Sequence, residues 1–266
     1  KDSNANQQTQ TDDINTALVT GANAVVVNLV ESGAIGTAET LMNAIKEKDV
    51  PAVFFNRAVS TDNAEAAELF KGYEKSAFIG TDFTQAGIMQ GKMVGQYVLD
   101  HYDELDLNKD GKISYVMFKG DEANQEAIAR TKYGVECADE VLTAAGKPAL
   151  EFYDAGNANK YLVDLNGTWS NTASFDYMQT ILAQYNEANG NMVELVICNN
   201  DDMAMAAARA AKGNPAYAKT IFVGFDGIQS ACNAILAGEE TMSVAQEAYD
   251  MGYKAVEAAV KAVNGE

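Results

Sequence analysis

Oxygen-bearing side chains alternate along the stretch DLNKDGKIS, and a glycine stands where a tight turn would be needed. Oxygen ligands at alternate positions around such a turn are the first nine positions of a calcium loop of the EF-hand kind. In that pattern the lysine would offer its backbone carbonyl, and the serine its hydroxyl or a bridging water. The spacing favours calcium, and an ordinary surface turn rich in Asp and Asn is the alternative. The candidate ligands are Asp106, Asn108, Asp110, Lys112 and Ser114.

The loop pattern fails at its twelfth position, where a bidentate Glu normally closes the calcium shell. That position is Met117, inside an apolar run that predicts a strand. A charge is out of place elsewhere: Glu194 stands near the start of the apolar run Val193–Cys198. Either the loop is a surface turn, or a remote carboxylate completes the calcium cage, and Glu194 is the obvious supplier.

A cluster of small polar residues follows that same apolar run. Asn199, Asn200, Asp201 and Asp202 stand between it and an Ala/Met-rich stretch that begins at Met203. This order predicts a strand, a loop and a packed helix. In open parallel sheets, ligands bind just past the carboxyl ends of the strands. We therefore expect Asn200 to face a binding cleft.

Apolar runs alternate with helical periodicity along the rest of the chain, in two series that break near Gly80. Alternation at this spacing predicts an α/β fold in two lobes, each a parallel sheet flanked by helices. Strands are predicted at 24–30, 53–55, 76–79, 113–119, 150–153, 193–198, 220–225 and 242–245. Helices are predicted at 14–21, 38–46, 64–69, 86–99, 125–145 (split or loosened near Gly134), 173–186, 203–212, 228–237 and 248–263, with a polar loop at 155–171.

Composition and charge exclude several classes of protein. The 266 residues are 47% hydrophobic, enough for a sizeable core, and their formal net charge of −19 would repel nucleic acid and anionic lipid. No apolar run reaches the length of about 18 residues that a membrane-spanning helix needs. The one histidine, His101, lies in a polar helix end and is expected to be solvated. A Ser–His or Cys–His nucleophile pair would need this histidine, so the sequence disfavours most classes of hydrolase.

Seven motifs occur in one order along nearly the whole chain, and as a series they are specific. They are VFFN (53–56), GTD (80–82), DLNKDGKIS (106–114), ART (129–131), the lone Trp169, VICNNDDMAM (196–205) and VGFD (223–226). In this order they resemble the periplasmic D-galactose/D-glucose-binding proteins, which capture sugars for ABC transporters and, in some members, for chemotaxis. The resemblance implies the type I periplasmic-binding fold. It also implies a structural calcium ion in the second lobe, with Glu194 at the place of the remote ligand.

The resemblance further implies which side chains contact a sugar. A neutral hexose is a ring of hydroxyl groups that donate and accept, and its C–H face suits an aromatic plate, here Trp169. Three positions depart from the family: Asn124 stands for its His, Glu126 for its Asp and Gln246 for its Asn. Longer side chains reshape the pocket, so the identity of the sugar stays open. The implied contacts are Asn56, Asn124, Glu126, Arg130, Trp169, Asn200, Asp226 and Gln246.

The lobes and their completeness are also implied by the resemblance. The expected bounds are 1–81 with 247–266 for the N-terminal lobe, 82–246 for the C-terminal lobe, and 80–82 and 246 for the hinges. The family's first strand, first helix and most of its second strand would precede Lys1, and its final strands would follow Glu266. The first lobe would then be incomplete, and we expect the chain alone not to form a stable, sugar-competent first lobe.

The leading hypothesis is a non-catalytic, periplasmic or extracellular receptor whose lobes close on a galactose- or glucose-like monosaccharide. Its partners would be the membrane subunits of an ABC transporter and, as in some relatives, a chemoreceptor, with a lipid anchor on a preceding segment left open. The alternative is a carbohydrate hydrolase with paired carboxylates from Asp201, Asp202 and Asp226, although adjacent Asp residues on a loop are commonly helix caps. A repressor core would need a basic helix-turn-helix segment and a sensor ectodomain a membrane span; the sequence contains neither.

Overall fold

The structure, a computed structural model, describes residues 1–266 except for the side chain of residue 187. The strands are β1 (Val25–Val27), β2 (Ala52–Phe55), β3 (Ser76–Ile79), β4 (Ser114–Lys119), β5 (Glu151–Phe152), β6 (Leu162–Val163), β7 (Leu195–Cys198), β8 (Ile221–Asp226) and β9 (Met242–Ala245). The helices are α1 (Gln7–Val19), α2 (Ile35–Glu47), α3 (Asn63–Lys71), α4 (Phe83–Asp100), α5 (Tyr102–Leu105), α6 (Gln125–Ala144), α7 (Asn171–Gln184), α8 (Asp201–Ala211), α9 (Gln229–Leu236) and α10 (Ala248–Asn264).

The chain packs as two compact units. The first contains residues 1–82, 123–126 and 247–266, and the second contains residues 83–122 and 127–246. The sequence places residues 123–126 with the second lobe, whereas in the structure they pack with the first unit. Asn124 is the reason visible there, because its amide donates a hydrogen bond of 2.7 Å to the hydroxyl of Ser32.

The first unit is built on a three-stranded parallel sheet in the order β1–β2–β3. Successive side chains of a strand point to opposite faces. On one face, Phe54 joins a core that includes Leu41 and Ile45 of the apolar stripe of α2. On the other face, Val53 packs against α10. The carboxyl end of β2 leads to Asn56, one of the expected sugar contacts.

The second unit is built on a larger parallel sheet in the order β5–β4–β7–β8–β9, with β6 pairing the last residues of β4. All four residues of β7 are buried, as expected for a central parallel strand covered by helices on both faces. Because the strands are parallel, their carboxyl ends meet at one edge. That edge carries Gly120 after β4, Asn199 after β7, Asp226 at the end of β8 and Gln246 after β9.

The predicted α/β class with parallel sheets and flanking helices is confirmed, with four local corrections. Helix α1 begins at Gln7 because the side chain of Asn6 caps it by accepting the Thr9 N–H, which a search for apolar periodicity overlooks. Helix α6 runs unbroken past Gly134. The short strand β6 lies inside the segment predicted to be a loop, and the single-turn helix α5 was not predicted. None of the described helices has the length and apolar character that crossing a bilayer requires.

Candidate functional site

Arg130 is the centre of a polar cluster at the carboxyl edge of the second unit's sheet. Its side chain comes from α6 and is almost completely buried. Nη1 donates to the backbone carbonyl of Asn199 at 2.7 Å, and Nη2 donates to Oε1 of Gln246 at 3.0 Å. Nη1 also lies 3.5 Å from Oδ1 of Asp226. The guanidinium is therefore held in one orientation by groups from three neighbouring strands.

Asp226 ends β8 in an unusual backbone conformation, with φ of +112°. The pKa of its carboxyl is raised to about 6 in all. Burial is the largest cause, the charge of Arg130 acts in the opposite direction, and the charges of Asp201 and Asp202 add to the rise. About a third of the side chain, 34%, is open to solvent. Asp226 thus offers a partly accessible carboxylate beside a fixed cation, an arrangement that can accept hydrogen bonds from hydroxyl groups.

Two aromatic rings flank the guanidinium of Arg130. Its Cζ lies 3.6 Å from the centroid of the Phe225 ring and 5.7 Å from that of the Trp169 ring. The indole of Trp169 lies directly on Gly120, where any Cβ would overlap it. Its Nε1 is buried, and it has no hydrogen-bond partner among the described residues. A half-buried indole with an unused N–H is suited to a ligand that has both a C–H face and an acceptor.

The loop that carries Trp169 is organised by Asp164, which sequence reasoning missed. The Asp164 carboxylate accepts the N–H groups of Asn166, Thr168 and Ser170 and the hydroxyl of Thr168, at 2.9 to 3.1 Å. Burial raises the pKa of Asp164, but the hydrogen bonds outweigh it and leave that pKa below its usual value. This network fixes Trp169 with φ of +58°, a conformation that non-glycine residues seldom adopt. The sequence signal was an Asp followed by small polar residues, which is common to many loops.

Asn200 has a structural role that limits its use as a ligand group. It is the N-cap of α8, and its Oδ1 accepts the Met203 N–H at 2.9 Å. The side chain is half-buried, and its amide nitrogen is the group that could donate a hydrogen bond to a ligand. The preceding Asn199 is fully buried, and its Oδ1 accepts the Gly120 N–H at 3.1 Å. Gln90, which the sequence did not single out, donates to the carbonyls of Cys198 and Gly224 at 3.2 and 3.1 Å.

The structure brings four of the eight expected sugar contacts into one cluster, namely Arg130, Trp169, Asp226 and Gln246. Asn200 lies one residue beyond the Asn199 carbonyl that Arg130 binds. The remaining three, Asn56, Asn124 and Glu126, belong to the first unit.

In the first unit, Asn56 has a left-handed backbone with φ of +66°, and its amide donates to Oδ1 of Asn28 at 3.4 Å. Asn124 and Glu126 are both buried.

The predicted calcium loop is folded around its own carboxylates. Asp106 accepts the N–H of Asp110 and of Gly111 at 3.0 Å each, and Asp110 accepts the N–H of Lys112 at 2.9 Å. The amide of Asn108 donates to Oδ2 of Asp110 at 3.0 Å. Gly111 takes φ of +81°, which supplies the sharp turn. These contacts hold the oxygens of the loop close together.

Glu194 lies next to this loop, as expected of the remote ligand. It is 1% exposed, and its Oε2 accepts the N–H of Ser114 at 2.9 Å. Its other oxygen, Oε1, is buried with no hydrogen-bond partner among the described residues. Burial raises the pKa of Glu194 to about 7, and the nearby charges of Asp110 and Asp106 contribute to that rise.

The loop is a candidate metal centre because its donors are all of one chemical kind. Carboxylate, amide and backbone oxygens suit a hard cation such as calcium. The unused Oε1 of Glu194 and the acidic neighbours fit such an ion, since a cation would compensate the charges that now repel one another. In the residues described, no three Asp, Glu, His or Cys side chains meet in a geometry ready to hold a metal. In this geometry the Asp106 and Asp110 oxygens accept N–H groups of the loop.

The chain is similar over nearly its whole length to several known proteins. The family model described as "Periplasmic binding protein domain" matches residues 1–266. The chain is 30% identical over 257 residues to the D-galactose/methyl-galactoside binding periplasmic protein MglB of Haemophilus influenzae, covering 96% of this chain and 69% of that protein. It is 27% identical to a putative rhizopine-binding protein of Rhizobium meliloti, covering 98% of this chain and 72% of that protein.

Solved structures share the fold. An ABC transporter solute binding protein of Bacillus halodurans with bound myo-inositol superposes with a TM-score of 0.74 at 20% identity, over 100% of this chain and 77% of that one. A periplasmic solute binding protein of Actinobacillus succinogenes with bound D-allose gives a TM-score of 0.75 at 17% identity, over 98% and 79% of the two chains.

Proposed function

Since the chain belongs to the family of periplasmic binding proteins, we propose that it is a solute-binding protein that captures a monosaccharide for an ABC transporter. Its parallel sheets with flanking helices are the type I fold of that family. The proposal includes a periplasmic location and, as partners, the membrane subunits of the transporter. A chemoreceptor as a further partner and a lipid anchor stay predictions from the sequence.

The observation that carries the proposal is the cluster of Arg130, Asp226 and Gln246 beside Trp169. Arg130 is already oriented by protein groups, so binding a sugar there costs little ordering of this side chain. Asp226 supplies acceptor oxygens for hydroxyl groups, and Arg130 and the indole N–H of Trp169 supply donors. The indole face supplies the surface for the C–H face of a pyranose. This combination suits a neutral polyhydroxylated ring better than a charged solute, which would leave one of these charges without compensation.

We propose that the ligand is a galactose- or glucose-like hexose. The identity with MglB supports this choice, since that relative is named for D-galactose and methyl-galactoside. Other relatives are named for ribose and D-apiose, and other solved structures hold L-arabinofuranose or D-fucose. Gln246 and Glu126 are each one methylene longer than the family residues at their positions. The arrangement of sugar hydroxyl groups that binds best should therefore differ from that of the family. The sugar contacts predicted for Asn56, Asn124 and Glu126 in the first unit remain predictions.

The test is a sugar panel read by the fluorescence of Trp169, the one tryptophan in the chain. D-galactose, D-glucose, D-ribose, D-allose and myo-inositol are titrated into the protein, and calorimetry measures the affinity of every sugar in parallel with the emission. We expect tight binding of at least one hexose, and Trp169→Ala to weaken it by about 1–3 kcal/mol. Tyr249→Ala, an exposed aromatic of α10, is the matched control. Calorimetric binding with no response of Trp169 would reject the site, and no binding of any sugar would reject the function.

We also propose that the protein breaks no bond in its ligand. Of the carboxylates that a hydrolase would need, Asp201 is fully buried and accepts hydrogen bonds from Ile228 N–H and Ser243, which leaves it unable to reach a substrate. Asp202 follows it in the first turn of α8. The family supports this reading, because its named relatives are sugar-binding transport proteins. Release of reducing ends from a galactoside or glucoside would contradict it.

We propose a structural calcium ion at the 106–114 loop as the cofactor. Asp106, Asn108, Asp110, the Lys112 carbonyl, Ser114 and Glu194 would hold it, and Oε1 of Glu194 has no partner within the described part of the chain. The ion would supply a positive charge that ties the loop to the start of β7 and would have no part in sugar chemistry. Thermal stability with and without a chelator tests this, since it should fall on calcium removal, and an unchanged melting temperature would contradict the proposal.

A further inference from the structure

Two buried carboxyl groups lie close to the turn that follows Asp226, within the second unit. Asp201 is fully buried at the first residue of α8, and Glu240 is 2% exposed just before β9. The two carboxyl groups act on each other, because Asp201 raises the pKa of Glu240 and Glu240 contributes a lowering effect on the pKa of Asp201. Both also press against Gly224 in β8, where an added Cβ would overlap Asp201 Oδ1 and Glu240 Oε1. The pair therefore occupies a space that β8 leaves by having glycine at this position.

Asp201 holds the turn that follows Asp226. Its Oδ2 accepts the backbone N–H of Ile228 at 2.9 Å, and its Oδ1 accepts the hydroxyl of Ser243 at 2.6 Å. The Ser243 oxygen in turn accepts the N–H of Gly227 at 3.1 Å. Both residues after Asp226 are thus tied to one carboxylate, directly or through a single hydroxyl group.

The turn needs this support because its backbone is strained. Asp226 has φ of +112°, which is rare for a residue with a side chain. Gly227 has φ of +66° and lies so close to Ala245 that a Cβ would come within 2.9 Å of the Ala245 Cα. Residues in such rare conformations persist only where several surrounding contacts hold them there. The hydrogen bonds that Asp201 accepts are among those contacts.

Glu240 can contribute to this network only as a donor. Both of its carboxyl oxygens are buried and, among the residues described, find no group that donates to them. Besides the two members of the pair, the titratable groups that interact with it are Cys198 from β7 and Asp226 from β8. No cation among the described residues acts on Glu240, so a second negative charge there would stay uncompensated. Burial, followed by the charge of Asp201, raises the pKa of Glu240 to about 8. A proton on Glu240 removes both problems, because it cancels one charge and supplies the missing donor.

We propose that Asp201 is a positioning residue for the sugar-binding turn at Asp226, and that Glu240 holds Asp201 in place by donating a hydrogen bond from a neutral carboxylic acid. The proton belongs on Glu240 because Asp201 already accepts from Ile228 and Ser243, which favours its ionised form. Both carboxyl groups are buried, so their effect on affinity would pass through Asp226. In this respect the inference rests on the proposed function.

Two variants of Glu240 distinguish the donation of a hydrogen bond to Asp201 from the effect of side-chain volume alone. Glu240→Gln keeps a neutral donor of the same length, Glu240→Leu keeps the bulk without a donor, and Glu239→Gln alters the exposed neighbour as a control. Infrared difference spectra at neutral pH, wild type minus Glu240→Gln, should contain the C=O stretch of a protonated carboxylic acid, and the Glu239→Gln difference should not. A Glu240 carboxyl that appears ionised in these spectra would overturn the proposal. This measurement needs only the conservative variant.

Hydrogen exchange in the absence of sugar tests the positioning role. We expect the amides of Gly227 and Ile228 to exchange about tenfold faster in Glu240→Leu and within about threefold of wild type in Glu240→Gln. Equal exchange in the two variants would contradict the donor role. In a D-galactose titration, the variant whose amides exchange faster should also bind the sugar more weakly. We therefore expect a loss of affinity in Glu240→Leu and none in Glu240→Gln. A wild-type chain that binds no sugar, yet gives the infrared band and the exchange pattern, would reject the proposed function and leave the carboxyl pair standing.

Discussion

The guanidinium carbon of Arg130 lies 3.6 Å from the centroid of the Phe225 ring. The aromatic ring covers one face of the cation, while Asn199 and Gln246 accept from its edges. A stacked and hydrogen-bonded guanidinium of this kind has little freedom left to lose when a ligand binds. Asp226 follows Phe225 directly, so the strand that orients the cation also supplies the acceptor beside it.

Arg130→Lys should weaken sugar binding while leaving the fold intact. A lysine keeps the charge but has no planar fork, so it cannot contact Asn199, Gln246 and the Phe225 face together. We expect a loss of about 2 kcal/mol, roughly thirtyfold in Kd, measured by calorimetry with the best sugar of the panel. Arg209→Lys on the exposed side of α8 is the matched control and should leave the affinity unchanged. Equal affinities in the two variants would mean that the orientation of Arg130 has no part in binding.

Asp164→Asn should loosen the loop that presents Trp169. The asparagine keeps one acceptor oxygen but loses the charge, and four donors now converge on the carboxylate. We expect the free energy of unfolding to fall by about 2 kcal/mol and the emission of Trp169 to shift towards that of a solvated indole. Asp154→Asn, at an exposed turn where the carboxylate accepts the Gly156 N–H, is the control. An unchanged emission in Asp164→Asn would show that other contacts fix the indole.

The parts of this fold that follow local rules were predictable from the sequence. The apolar run Val193–Cys198 predicted a buried strand, and the parallel arrangement put the polar residues after it at the carboxyl edge, near Asp226 and Gln246. Helix α6 shows where a local rule fails. Gly134 suggested a weak point, but Gln90 and Met117 pack against it, and this tertiary contact outweighs the low helix propensity of glycine.

The support of the site was not predictable, because it depends on contacts between distant residues. Asn200 was expected to face a cleft, which stays a prediction, and the sequence did not show that its oxygen also caps α8. The place of Trp169 depends on Gly120 and on Asp164, neither of which stood out by type. In the sequence, nothing distinguishes Glu240 from any other charged residue that follows a helix, and its proximity to Asp201 is visible only in the structure.

Glu194→Gln should abolish calcium binding with little change in the fold. Removing the charge at the buried remote position weakens the attraction for the ion, while the amide still occupies the same space. We expect the calcium affinity to fall by about a hundredfold or more, measured by calorimetry after treatment with a chelator. Glu151→Gln is the control, because that exposed carboxylate pairs with Lys112 across the surface at 2.7 Å and offers no buried oxygen. Unchanged calcium affinity in Glu194→Gln would reject the cage.

Glu240→Gln should remove part of the pH dependence of stability. In the folded protein Glu240 holds its proton up to a pKa of about 8, whereas the unfolded carboxyl releases it near the ordinary value of 4.5. Between these values the folded state binds more protons than the unfolded state, so the free energy of unfolding falls as the pH rises, by at most about 1.4 kcal/mol per pH unit. The contribution is present in full below the unfolded pKa and is lost as the pH rises through the folded one. Glutamine stays neutral and has no such slope.

The variant should therefore gain stability relative to the wild type as the pH rises. Urea denaturation at about pH 5.5 and about pH 8.5 measures this difference. Other groups with raised pKa values, such as Asp226, titrate in both chains, so the comparison isolates Glu240. Glu239→Gln should follow the wild type at both pH values, because its side chain is exposed. If Glu240→Gln and the wild type lose stability in parallel, Glu240 is ionised across the range and cannot donate to Asp201.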